Sequence, residues 1–270
     1  MRASASAPLA LVTGASAGIG AAFARALAAR GYDLALVARR LDRLEALAGE
    51  LRASEKTDAF AIQADLSAVD AHAPIMEALA ARGRSVDMLV NNAGFSLPHT
   101  YVQTIWTQQR DFVMTLVMAV CGLTHAVLPG MIERKRGSIV TVSSMAALSP
   151  GGAGHTLYPA AKSFVLKFSQ SLDAELRTQG VKVTCVLPGF TESEFAAANG
   201  TKALMDQSPR AFMMTAEAVV AAALSANDEG RVVCIPGAHN KVAAGLMKYL
   251  PDAITAPLIR GAAEKYRVKE

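Results

Sequence analysis

The chain has 270 residues, 52% of them hydrophobic and 19% charged, with a net charge of +4. That is enough apolar material for one large α/β domain. The charge excess is too small and scattered for nucleic-acid binding, and its densest run, Glu133–Gly137, reads as a solvated loop.

Cys121, Cys185 and Cys234 lie far apart and the five histidines form no ligand cluster, so no metal is expected. Unpaired cysteines suit a reducing, cytoplasmic compartment. Leu9–Thr13 is an apolar run expected as a strand, which argues against a signal peptide. It leads into Gly14-Ala-Ser16-Ala-Gly18-Ile19-Gly20 and the helical pattern Ala21–Arg30. Glycines at these points let the backbone turn tightly and approach a phosphate, with the helix N-terminus supplying N–H donors.

Asp33–Ala38 is a second strand, followed by Arg39-Arg40. Many dinucleotide-binding folds place an acid there for the ribose 2′-hydroxyl. Two arginines suit a 2′-phosphate instead, so NADP(H) is expected; the alternative is a solvated pair opening the next helix. That helix is Leu41–Ala53, with leucines at 41, 44, 47 and 51 on one stripe. Asp58–Gln63 is a third strand, with Asp65-Leu66 after it in position to contact an adenine. Ala68–Arg82 reads as a helix and Val86–Val90 as a fourth strand. It ends at Asn91-Asn92-Ala93-Gly94, where small residues and amides let the backbone lie beside a dinucleotide. The alternation predicts a parallel sheet with helices on both faces.

Phe112–Ile132 is 21 residues without Asp, Glu, Lys or Arg, long enough to be weighed as a membrane span. Thr115, Gly122, Thr124, His125 and Pro129 make it a poor one. A helix buried between the sheet and a partner subunit is expected instead. Gly137–Ser144 is a fifth strand ending in two hydroxyls. Tyr158-Pro-Ala-Ala-Lys162 opens a helix to about Thr178, with phenol and ammonium one turn apart on one face. A nearby cation lowers a phenol's pKa, although the same spacing also occurs on solvated helices. Val181–Leu187 is a sixth strand ending at Pro188-Gly189.

Thr191–Pro209, with a short helix at Glu192–Ala198, reads as a loop able to close over substrate. Ala216–Ser225 is a helix and Arg231–Ile235 a seventh strand. The tail from Lys241 carries six basic and three acidic residues. It is expected to pack on the domain or a partner, with a membrane surface or a lipid-like substrate as the alternatives. No linker or repeat interrupts the chain. One domain is expected over 1–240, including a substrate loop at 190–215, with a helical tail over 241–270.

Thr13-Gly-Ala-Ser-Ala-Gly-Ile-Gly20, Asn91-Asn-Ala-Gly94, Ser144, Tyr158-x-x-x-Lys162 and Pro188-Gly189 fall in this order. Over about residues 8–236 the chain thereby resembles the short-chain dehydrogenase/reductase superfamily, classical type. The resemblance implies a Rossmann-type, doubly wound α/β fold with a seven-stranded, mostly parallel sheet. It also implies NADP(H)-dependent interconversion of a ketone or aldehyde with an alcohol. Tyr158 would be the acid/base, Lys162 would lower its pKa and bind the nicotinamide ribose, and Ser144 would hold the carbonyl oxygen. Gly14, Ser16, Gly18, Ile19, Gly20, Arg39, Asp65, Leu66, Asn91, Ala93, Gly94, Pro188, Gly189 and Thr191 would line the cofactor with Tyr158 and Lys162.

Relatives commonly pair through the long helix, here about Thr104–Arg134, and the Tyr158 helix, so a homodimer or homotetramer is expected. The Lys248–Pro251 stretch is loosely similar to hydroxysteroid and 3-oxoacyl reductases, which points to an apolar carbonyl substrate. Met145, Leu148 and Phe190 suit its pocket wall or the core, and His155 a pocket or a plain loop. One departure stands out: Leu116 occupies the position of an Asn that usually helps feed protons to the active-site Lys. It alone supports the other reading, an NADP-binding sensor or scaffold without turnover.

Overall fold

Leu9–Thr13 forms strand β1, whose alternation sets the two layers around it. Leu9 and Leu11 join one apolar cluster while Ala10 and Val12 join the other. Every residue of the strand is buried, as a parallel strand covered on both faces requires. The computed structural model describes residues 7–97, 99–151, 157–192, 194, 212–250 and 253. Glu192 lies in a strand and not in the expected helix Glu192–Ala198. Most of the rest of that helix, most of the substrate loop, His155 and most of the tail beyond Leu250 lie outside the described residues.

The elements follow in chain order. Helix α1 (Gly18–Ala29), β2 (Asp33–Ala38), α2 (Leu41–Glu55), β3 (Ala59–Gln63), α3 (His72–Ala81) and β4 (Val86–Asn91) make the first half. Then come α4 (Trp106–Val113), a widened π turn (Met114–Met118), α5 (Ala119–Glu133), β5 (Gly137–Val142), α6 (Leu157–Leu176) and β6 (Val181–Val186). β7 (Thr191–Glu192) and β8 (Met214–Thr215) pair in a small parallel ribbon, before α7 (Ala216–Asp228), β9 (Val233–Cys234) and α8 (Ala238–Tyr249).

The main sheet has seven strands in the order β3-β2-β1-β4-β5-β6-β9, and every neighbouring pair is parallel. Side chains of α1, α2 and α7 cover one face, and those of α3, α5 and α6 the other. The direction of winding reverses between β1 and β4, which opens a crevice at the carboxyl ends of these strands, where doubly wound sheets hold ligands.

Several boundaries differ from the sequence reading, each for a local reason. Asp58 is left out of β3, and its backbone N–H donates to Asp33 Oδ1 at 2.9 Å. α3 begins at His72 and not Ala68, because Asp65 accepts from Ser67 in a turn and Asp70 adopts a left-handed φ of 53°. β5 stops at Val142, since Ser144 Oγ accepts from Ala146 N (3.1 Å) and caps a 3-10 turn at Met145–Leu148. β9 keeps only Val233 and Cys234 in register with β6.

Candidate active site

The loop after β1 and the loop after β4 interlock across the crevice. Thr13 Oγ1 donates to Val90 O (3.2 Å) and accepts from the backbone N–H groups of Asn92 and Ala93. Asn92 Nδ2 donates to Thr13 O at 2.9 Å and Gly14 O at 3.3 Å. A methyl group on Gly20 would lie 2.2 Å from Gly14 O, so only glycine permits this approach. The first turn of α1 has no side-chain cap and no acidic residue, which leaves its N–H donors for an anion. Ile19 packs partly into the core behind the loop. This cradle fits a dinucleotide pyrophosphate.

At the rim, Arg39 and Arg40 are both exposed. Arg40 Nη2 donates to Ser16 Oγ in the glycine loop at 3.0 Å, and Arg40 Nη1 lies 3.6 Å from Glu194, which also pairs with Arg43 at 2.5 Å. Arg39 instead lies near Asp65, whose carboxyl is held low mainly by the Ser67 backbone N–H, with Arg39 contributing. Leu66 is buried in the core, so its backbone alone is left to meet an adenine. Asn91 is buried, with Nδ2 donating to Thr124 Oγ1 (3.2 Å) and Oδ1 lacking a partner. The side chain that braces the glycine loop is that of Asn92.

Ser144, Tyr158 and Lys162 come together where β5 meets α6. Ser143 Oγ donates to Lys162 O at 2.7 Å, and Lys162 Nζ donates to Val142 O at 2.9 Å. The two bonds tie the start of α6 to the end of β5. Ser143 thus serves the scaffold, while Ser144 stands near enough to Tyr158 to favour its phenolate. Lys162 Nζ stands 5.7 Å from the centre of the Tyr158 ring.

Burial pushes the Tyr158 phenol above its ordinary value, with the Ser144 hydroxyl acting in the opposite direction. The expected lowering of Tyr158 by Lys162 is therefore not what dominates here. Burial also holds Lys162 itself down, to about 8. Leu116, on the π turn, adds to that apolar surround: a methyl on Gly94 would stand 3.7 Å from Leu116 Cδ1 and 3.8 Å from Lys162 Nζ.

Tyr158 opens on a small cavity lined by Leu97, His99, Tyr101, Gln109, Phe112 and Leu157. Phe95 meets Phe112 edge-on at 5.4 Å between ring centres, making a rigid aromatic wall. Met145 and Leu148 belong to a separate apolar cluster with Leu166, Cys185 and Leu187. In the turn after β6, Met145 N donates to Pro188 O (2.9 Å) and Thr191 Oγ1 donates to Gly189 O (3.2 Å). Asn240, in the first turn of α8, lies flat on Gly189, where a methyl would come 2.4 Å from its Oδ1. Asn92, Gln109 and Asn240 escaped the sequence reading. Asn92 stood inside a motif already noted; the other two carry no local signal.

A family model described as short chain dehydrogenase matches residues 8–204. The chain belongs to the short-chain dehydrogenase family. An uncharacterised oxidoreductase of Myxococcus xanthus is 41% identical over 190 residues, covering 70% of this chain and 74% of that protein. Very-long-chain 3-oxoacyl-CoA reductase-B of Danio rerio is 34% identical over 200 residues, 73% of this chain but only 63% of that protein. Among solved structures, a short-chain dehydrogenase from Sphingobium yanoikuyae in complex with NADPH superposes with a TM-score of 0.79 at 34% identity, covering 91% of this chain and 97% of that one. The bulky-bulky ketone specific alcohol dehydrogenase from Comamonas testosteroni gives 0.75 at 33% identity, covering 92% and 96%. The chain thus belongs to a family of oxidoreductases, and the Sphingobium relative is seen with NADPH bound.

Proposed function

We propose that the protein is an NADP(H)-dependent carbonyl reductase that reversibly interconverts a ketone or aldehyde and an alcohol. The observation that carries this reading is the gathering of Ser144 and Tyr158 at the junction of β5 and α6, with Lys162 buried one helical turn away. NADPH, when bound, supplies the hydride. Tyr158 gives its phenol proton to the carbonyl oxygen as that oxygen gains charge, and takes it back in the oxidation direction. Ser144 Oγ fixes the same oxygen. Lys162 Nζ stabilises the phenolate left behind. A phenol raised by burial is fully protonated at neutral pH, which suits the reducing direction.

The glycine loop, Ala93, Gly94 and the Pro188–Thr191 turn would hold the cofactor, and Arg39 or Arg40 its 2′-phosphate. The absence of an acid after β2 supports NADP(H) over NAD, and so does the NADPH bound to the Sphingobium relative. Phe95, Leu97, Phe112 and Leu157 around Tyr158 favour an apolar substrate, a steroid or 3-oxoacyl lipid being examples. The ketone and 3-oxoacyl-CoA specificities of the named relatives point the same way.

We place the enzyme in the cytoplasm as a homodimer or homotetramer, an assembly that the largely apolar groove between α5, α6 and Ala68–His72 would suit. One helix, Trp106–Glu133, is long and apolar enough to cross a membrane by length and composition; its inner face packs on the sheet. Leu116 favours a second reading, a nucleotide-binding protein without turnover.

Calorimetry tests the cofactor assignment. Wild type should bind NADPH at least about ten-fold more tightly than NADH, a difference of about 1.4 kcal/mol. Arg39→Ala and Arg40→Ala divide the preference between the two arginines. Equal affinity for the two nucleotides would remove the 2′-phosphate assignment.

A further inference from the structure

Gln109 is an amide lining the small cavity beside Tyr158 and Phe112, and it is 5% exposed. A buried amide is costly unless it is hydrogen-bonded, so its partners show what the position is for. One partner is Thr104, whose Oγ1 donates to Tyr101 O at 3.1 Å and accepts from Gln109 Nε2. With Nε2 engaged in this way, Oε1 is the amide atom left over.

No donor among the described residues reaches Gln109 Oε1. It is also not one of the side-chain atoms sealed from solvent without a partner, which among the described residues are Asn91 Oδ1 and His239 Nε2. Gln109 lines the cavity it shares with Tyr158, and Oε1 is the amide atom that remains for a ligand there.

We propose that Gln109 is a specificity-determining residue, whose Oε1 accepts a hydrogen bond from a hydroxyl or amide N–H on the substrate while Tyr158 and Ser144 hold the reacting carbonyl. The inference rests on the carbonyl-reductase reading and narrows it: the substrate is an apolar carbonyl compound that carries one donor near the carbonyl. An analogue without that donor leaves a buried acceptor unpaired. That is how a polar group in an apolar pocket discriminates.

His99 and Tyr101 line the same cavity, and their side chains can donate to a substrate acceptor. The test must therefore remove a substrate donor with little change in size. The three hydroxyacetophenones and the three fluoroacetophenones do this, scanning the distance from the carbonyl by ring position. Two readouts are needed for wild type, Gln109→Met and Thr104→Val: kcat/KM with NADPH, and calorimetric affinity for the NADP⁺-loaded protein.

One hydroxy isomer should exceed its fluoro partner by about five- to ten-fold in wild type, the worth of one neutral hydrogen bond. Gln109→Met should bring that ratio close to unity. Thr104→Val removes the hydroxyl that orients the amide and should lower the ratio partway. A ratio near one for all three isomers in wild type, or a preference that survives Gln109→Met, overturns the assignment. Binding with the expected preference but no NADPH consumption would leave Gln109 in place and sink the reductase reading. Consumption without preference would do the reverse.

Discussion

Lys162 carries its charge in a place that disfavours charge. Its Nζ has Val142 O as a partner, Leu116 as an apolar neighbour, and a pKa brought down to about 8 by burial. A folded-state value below the ordinary lysine range means that the unfolded chain binds this proton more tightly. The cost is fully present below about pH 8 and is relieved as pH rises toward the ordinary value near 10.5. Lys162→Met removes the titration. The unfolding free energy of wild type minus that of the variant should therefore rise between pH 8 and 10, by up to about 1.4 kcal/mol per pH unit. Denaturant melts at stepped pH measure it, and a flat difference would show that the ammonium is not desolvated.

At this scale the meeting of Ser144, Tyr158 and Lys162 was legible in the sequence, Tyr158 and Lys162 through their one-turn spacing and Ser144 through its place in the family motif. The direction of the Tyr158 shift was not. Sequence spacing shows the nearby cation but not the burial that outweighs it. Gln109 was equally hidden, since its meaning depends on Thr104 and Tyr101 meeting it in space.

At the scale of elements, the glycine loop and β4 loop behave as one clasp around the crevice. Gly20 sits so close to Gly14 O that an added methyl must push backbone and not a flexible side chain. Gly20→Ala should lower NADPH affinity at least about ten-fold and destabilise the fold by about 1–3 kcal/mol. Calorimetry with a parallel thermal melt checks both, and unchanged affinity would detach the loop from cofactor binding. β1, β2 and the start of α2 were readable to the residue, since apolar runs bounded by glycine or arginine leave little freedom. The start of α3 and the end of β5 were not, because single side chains (Asp65 and Ser144) form local turns there. The π turn at Met114–Met118 carries no mark in the hydrophobic pattern, yet it is the element that holds Leu116 beside the active-site lysine.

For the whole molecule, the parallel order and two-sided burial follow from the alternation of strands and helices, and the sequence carried them plainly. Assembly is different, because a surface is defined only once the chain is folded. Between α5, α6 and the Ala68–His72 segment runs a largely apolar groove of about 630 Å³ that includes Met118 and Phe168. Nearby, Phe164 is exposed and stacks on Phe168 at 6.0 Å. Sedimentation at micromolar protein should give a dimer or tetramer, and Met118→Glu with Phe164→Glu should shift it toward monomer. A wild-type monomer would leave the groove without its expected occupant.

The central claim is that Tyr158 transfers the proton that completes carbonyl reduction. The most direct measurement is the initial rate of NADPH oxidation with a panel of apolar ketones, for wild type and Tyr158→Phe, with NADPH affinity followed alongside. Wild type should consume NADPH, and the variant should lose about 10²- to 10⁴-fold in rate, the usual worth of a positioned acid. Its NADPH affinity should remain. Wild-type NADPH binding without consumption of any ketone, or a variant as fast as wild type, would contradict the proposed chemistry.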